Sequence, residues 1–366
     1  MMTHEQYLAT KRFPALDGVR AIAAVLVVVF HYGGANWARA NGWIGVHLFF
    51  VMSGFLITTL ALREEDRNGR ASLANFYIRR AFRILPVYYV IVAMIVVFIY
   101  LRGEIRPGFW AGLGWNVVFM GEFHPMALFG QAWTLGVEQK FYILWPLLAF
   151  AIAGLGFAKR LGLALGLVTM LLVLVTVIPY ASAFASILVG CALAIVLHNR
   201  RGFAVLRVFT HPAVGLVVAA VLVAVQMYVY DIGALLHDEG NVFTVFGYVV
   251  LAALLIPSLV AGGPLAWVLS LPPMRFVGER SYALYLVQQL VAAVVAAAIP
   301  QFGPHRTLTA VAVTLAGLVV ADVLYRWVEL PMIEVGRKIV NRRARRRASR
   351  ETAPEAAPRP EPAPVG

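Results

Sequence analysis

The chain has 366 residues, 61% of them hydrophobic, and a formal net charge of +13 from 31 Lys and Arg against 18 Asp and Glu. That apolar share is well above the roughly half expected of a soluble domain and excludes one; the chain reads as an integral membrane protein. The single cysteine, Cys191, excludes an intramolecular disulfide and a cysteine-based metal cluster.

Apolar runs long enough to cross about 30 Å of hydrocarbon lie at 19–32, 43–62, 85–101, 141–157, 161–178, 182–197, 213–230, 242–261, 282–299 and 308–328. They predict an all-α polytopic fold of about ten transmembrane helices. Short loops rich in Lys and Arg stay on the cytoplasmic side. With the N-terminus inside, that side collects Arg63, Arg67, Arg70, Arg79, Arg80, Arg83, Lys159, Arg160, Arg200, Arg201, Arg207, Arg275 and Arg280. The opposite side holds Arg39, Arg102, Arg106 and Arg306, besides Lys140 at a helix mouth. An even number of crossings returns the C-terminus to the cytoplasm. The positive charge is then topology signal plus a basic tail, and no nucleic-acid partner is expected. A cleaved signal peptide is not expected either, because the first run lacks a small-residue cleavage site and a second span follows it closely.

Residues 1–15 form a polar cytoplasmic segment, 16–335 the transmembrane domain, and 336–366 a basic and then Pro/Ala-rich tail whose last sixteen residues should be disordered. The first span carries Arg20 and His31. Eleven residues at about 100° each make about three turns, so the two share one face roughly 16 Å apart. Arg20 alone could snorkel to the interface and His31 alone could face headgroups. Ionisable groups on one face inside a bilayer point instead to function.

His47 should sit in the first turn of the second helix, near the outer level of His31. Ser53 and Gly54 in mid-span read as a packing notch. Arg79, Arg80 and Arg83 form a basic helix face able to clasp phosphates or lipid headgroups, and Pro86 marks a bend into the third span. A half-length apolar stretch, 109–120, is too short to span and reads as re-entrant. From Glu138, Phe141, Tyr142 and Trp145 follow at helical spacing, placing an acid at the head of an aromatic stripe and at the outer end, level with His31. Spans five to eight read as scaffold. Ser281, Tyr285 and Gln288 share a face in span nine. Arg326 and Glu329, three apart near the end of span ten, are positioned to pair.

With those stretches in view, the chain resembles the acyltransferase-3 family of multi-span membrane O-acyltransferases, from about residue 13 to 331. The resemblance is carried by six blocks in order: Arg20 and His31; G-x-x-G-V-x-L-F-F-V-x-S-G-F-L-I from Gly42; R-R-x-x-R-I-x-P-x-Y from Arg79 to Tyr88; W-[ST]-L-x-V-E-x-x-F-Y from Trp133 to Tyr142; S-Y-x-L-Y-L from Ser281; and Glu329 with Pro331. It implies a cytoplasmic acyl-coenzyme A donor, acetyl-CoA first among candidates, a carbohydrate or glycolipid acceptor, and His31 as catalytic base in the cell's plasma membrane. On that basis Arg20, Arg79, Arg80, Arg83 and Tyr88 are assigned to the donor. His47, Trp133, Tyr142, Tyr285 and Gln288 go to the acceptor, and Glu138 to orienting His31 as a carboxylate does in a triad. No metal is expected. Two positions depart from the family pattern: His47 stands where Asp is usual, and Val287 and Gln288 where Trp-His is usual.

The rival classes are a transporter or flippase for an envelope precursor, a lapsed relative that only binds lipid, and an enzyme acylating a secreted small-molecule glycoside. Neither repeated halves nor paired broken helices support transport, and after Val328 only a short charged tail follows, so no attached hydrolase-like domain is expected. Oligomeric state is not readable from the sequence.

Overall fold

The computed structural model describes residues 1–123, 130–151, 155–178, 180–303 and 305–351. Helices account for the regular structure of the described residues: α1 His4–Ala9, α2 Pro14–Tyr32, α3 Gly45–Asn68, α4 Leu73–Leu101, α5 Phe109–Val117, α6 Ala132–Phe150, α7 Phe157–Val173 and α8 Ala181–His198. They continue with α9 Arg200–Leu206, α10 Pro212–Met227, α11 Val229–Leu235, α12 Val242–Ala261, α13 Pro264–Leu269, α14 Pro272–Ala298, α15 Arg306–Leu324 and α16 Leu330–Glu351.

A helix lies over each apolar run. By length and composition seven are fit to cross a membrane, or eight if α9 and α10, bent by 76° with the short turn between them, count as one. The helices over the fourth and fifth runs fall outside that set. In α6 the polar triplet Glu138, Gln139, Lys140 dilutes the apolar run, and α7 has 17 residues, about 26 Å against the 30 Å of a hydrocarbon core. Large apolar side chains cover the bundle's outer surface, Val97, Val173 and Val319 among them, each more than half exposed. An apolar exterior suits lipid and is unusual in water.

The loops divide between two ends. One, the basic end, carries residues 63–73, 198–212 and 262–275, and α1 lies across it, with Tyr7 buried and His4 Nε2 2.9 Å from the His198 carbonyl. The far end carries the turns at Ala35–Ala40 and Gly42–Ile44 and residues 300–308, where Trp37 donates to Thr307 at 3.1 Å.

Three contacts fix the levels within the bundle. Gly54 of α3 and Gly190 of α8 face each other's backbones, and a methyl group at either would overlap the carbonyl of Ile187 or Val51; small residues allow this crossing. Gly278 of α14 touches the backbone of Asp17 on α2, and the two helices run the same way. Gly42 rests on the Leu26 carbonyl and Gly45 on Ala23. The chain after α2 thus turns back down into the bundle before α3 begins. His47 consequently lies near the level of residues 21–23, not beside His31 as the loop length suggests.

α4 runs unbroken through Pro86, so the arginine face and the third span are one helix rather than two pieces joined at a bend. The segment after α4 does re-enter: Tyr88 donates to the Asn116 carbonyl at 2.7 Å and stacks on Phe119 at 4.4 Å. Tyr88 is thirteen residues before the end of α4, so the segment descends about 20 Å. The tail's basic stretch is helical, α16 continuing to Glu351; the disorder expected beyond it concerns residues outside those described.

Candidate active site

Five helices converge on one cavity of about 80 Å³, lined by charged, hydroxyl and apolar side chains. Each contributes residues at helical spacing: Thr134, Glu138 and Tyr142 from α6; Gly278, Ser281 and Tyr285 from α14; Arg80, Arg83 and Ile84 from α4; Val46, Phe49 and Phe50 from α3; and Arg20 from α2.

Charge is concentrated here. Glu138 faces Arg20 and Arg80, with the Tyr142 and Ser53 hydroxyls beside it. Those hydroxyls are 2.7 Å apart, and the Arg80 guanidinium lies 5.2 Å over the Tyr142 ring. Behind Arg83 stands Glu329, 2% exposed and 4.0 Å away. Glu279, also on the wall, is held by Arg275 at 3.8 Å and Arg280 at 3.6 Å. Arg20, Arg80 and Arg83 thus stand among the carboxylates of Glu138, Glu329 and Asp17, the last near Arg20 and Arg83. Arg20 Nε is buried without a hydrogen-bond partner among the described residues. A buried guanidinium donor left unsatisfied favours an anionic ligand or a developing negative charge.

The structure brings Arg20, Arg80, Arg83, Glu138, Tyr142 and Tyr285 into this wall, and His31 is not part of it. Counting from the contact between Gly278 and Asp17, Tyr285 stands level with Ala24, so the cavity stops about 10 Å short of His31. His31 is exposed at the far end of α2, with Nδ1 2.8 Å from the Val27 carbonyl. A carbonyl only accepts, so Nδ1 carries a proton and, in the neutral ring, Nε2 presents the lone pair.

The expected pairing of Glu138 with His31 is corrected. The helix begins at Ala132 rather than at 141, which carries Glu138 two turns inward, about 9 Å, to the two arginines.

Other assigned residues lie off the cavity. Arg79 turns to Glu64 at 2.7 Å. Tyr88, 1% exposed, holds the re-entrant segment. His47 is buried against the Ser186 hydroxyl at 2.8 Å. Trp133 stacks on Tyr180 at 4.8 Å and meets the edge of Phe50 at 6.1 Å. Gln288 is fully buried one turn beyond Tyr285, and its Nε2 donates to the Tyr285 carbonyl at 2.9 Å.

The expected pair of Arg326 and Glu329 is also replaced. A π-turn at Tyr325–Glu329 widens the helix, rotating Glu329 toward Arg83, and Arg326 bonds Asp322 at 2.9 Å instead. Sequence reading missed Ser53, Thr134 and Tyr282 as wall or support. Thr134 donates to the Tyr285 hydroxyl at 3.2 Å and Tyr282 to the Ile84 carbonyl at 3.0 Å. For Thr134 the signal was position, one turn before Glu138 on the same helix. Among the described residues, no group of three or more His, Cys, Asp and Glu side chains gathers at metal-ligand distances.

Residues 13–326 match the model of the acyltransferase domain family. The peptidoglycan O-acetyltransferase OatA of Listeria monocytogenes is 27% identical over 89% of this chain and 56% of its own length. The O-acetyltransferase OatA of Staphylococcus aureus is 26% identical over 91% of this chain and 59% of its own. The chain thus spans a little under three-fifths of the length of these curated relatives, and no solved structure matches it. With four-fifths or more of its residues inside that match, the chain belongs to the acyltransferase domain family.

Proposed function

We propose that the chain is a plasma-membrane O-acetyltransferase that moves an acetyl group from acetyl-CoA to a hydroxyl of an envelope glycan. Ten helices cross the bilayer with both termini in the cytoplasm. The observation that carries this reading is the arginine-lined cavity, which reaches from the basic end into the middle of the bundle while His31 stands at the other end. The names of the OatA relatives make peptidoglycan the first acceptor to try.

In this reading the donor enters from the basic end, and Arg20, Arg80 and Arg83 hold its negative groups. Glu138 positions Arg20 and Arg80 instead of orienting the base. His31 Nε2 takes the proton from the acceptor hydroxyl as its oxygen attacks the thioester carbonyl. The C–S bond breaks, and the imidazolium returns the proton to the leaving thiolate, giving the ester and free coenzyme A. The thioester must pass Val46 and Tyr285, 7% and 8% exposed, because the open cavity ends below His31.

The test uses membranes containing the chain, labelled acetyl-CoA and purified peptidoglycan. The native chain is expected to label the glycan and release coenzyme A, and His31→Ala to lower the rate at least about a hundredfold, the usual size of a lost general base. Equal rates would remove His31 from the mechanism, and a native chain releasing no coenzyme A would favour transport.

A further inference from the structure

A second cavity of about 370 Å³ opens at the basic end and shares Arg80 and Arg83 with the inner one. Its wall also includes Arg79 and Glu64, and, from the C-terminal helix α16, Arg337 and Asn341. We propose that this vestibule seats the nucleotide half of the acyl-CoA donor, and that Arg337 and Asn341 make α16 a working wall of the donor site. The proposal rests on the acyl-CoA reading above.

Shape supports it first. A wide outer cavity and a small inner one, with two arginines on the wall between them, suit a ligand with a bulky charged head and a slender arm. Charge supports it next. The wall itself holds four arginines and one carboxylate, Glu64, which Arg79 bonds at 2.7 Å, while Glu329 and Glu334 stand outside the wall beside Arg83 and Arg337. Forked guanidinium groups are suited to phosphate oxygens. Phe76 in the same wall, with the Arg80 guanidinium 5.8 Å over its ring, gives a purine an aromatic and cationic neighbour.

Packing of α16 fixes the geometry. Gly336 lies against Phe82 of α4, close enough that a methyl group there would sit 2.9 Å from Phe82 Cβ. Arg337 and Asn341, four apart, then share one face over the α4 arginines. Arg337 is 68% exposed, with Glu334 at 2.6 Å on its own helix, so its side chain is free to reorient toward a bound phosphate.

The same chemistry would suit an anionic lipid headgroup, and the experiment separates the two. The full chain is placed in nanodiscs of phosphatidylcholine alone or with phosphatidylglycerol, and KM is measured for acetyl-CoA and for acetyl-pantetheine, which lacks the nucleotide. Arg337→Ala is expected to raise the ratio of the two KM values about tenfold, the scale of one charge-assisted contact, in both lipids. Arg346→Ala, on the same helix outside the cavity, should leave the ratio unchanged. Independently of turnover, adenosine 3′,5′-bisphosphate should bind the native chain and bind Arg337→Ala about tenfold more weakly. An unchanged ratio, an effect confined to phosphatidylglycerol, or no binding of the bisphosphate overturns the proposal. Bisphosphate binding without acetyl transfer would instead count against the enzymatic reading alone.

Discussion

His31 shows how much one hydrogen bond decides. The bond to the Val27 carbonyl fixes the tautomer of the neutral ring, so that ring offers its Nε2 lone pair at the far end, with no carboxylate bonded to it among the described residues. Asp238 decides something local in the same way. Its carboxylate accepts from Phe243 N at 3.1 Å and from Thr244 N and Oγ1 at 2.7 and 2.8 Å, capping α12. Burial pushes its pKa up, but the bonds from Thr244 and Phe243 outweigh that and hold the carboxyl below the ordinary range. A depressed folded value means stability present above the unfolded pKa and lost as pH falls through the folded one. Asp238→Asn is expected to cost about 1 kcal/mol at neutral pH. In thermal unfolding the gap between native and variant should hold down to about pH 4, the unfolded Asp value, and close below it. At this scale the sequence showed Arg20 and His31 well, because helical spacing within a clean apolar run is legible. It hid the partners of Glu138, because the polar residues beside it mask where the helix starts.

Among elements, the α3–α8 crossing is the tightest place to intervene. Gly54→Ala forces a methyl into the Ile187 carbonyl and is expected to cost about 1–3 kcal/mol, the range for overpacking. The thermal midpoint in detergent should fall accordingly. Gly166→Ala in α7 meets nothing within 4 Å and should leave the midpoint unchanged or slightly raised, alanine being the better helix former. Sequence reading took Ser53–Gly54 as a packing notch. That held for Gly54 and missed Ser53, whose hydroxyl reaches Tyr142. Hydropathy also placed the third span from 85, whereas α4 begins at Leu73; arginines lower a hydropathy average without ending a helix. The π-turn before α16 left no comparable mark, since one extra residue in a turn changes direction and not composition.

At the scale of the whole molecule, the bundle divides into a basic end that opens through the vestibule and a far end that carries His31. Thr134→Trp places an indole in the inner cavity and is expected to abolish transfer from acetyl-CoA, while a retained thermal midpoint would show an intact fold. The alternation of basic loops made the two ends legible in advance. The vestibule was not, because α16 comes from a stretch that reads only as a charged tail. The inner cavity ends near Tyr285, about two turns below His31. A catalyst that hands a group across a bilayer is in danger of becoming a pore. If the chain works as proposed, the closed packing between the cavity and His31 keeps the low-dielectric barrier continuous at rest, and the cell's proton and ion gradients stay insulated from the passage the acyl group would use.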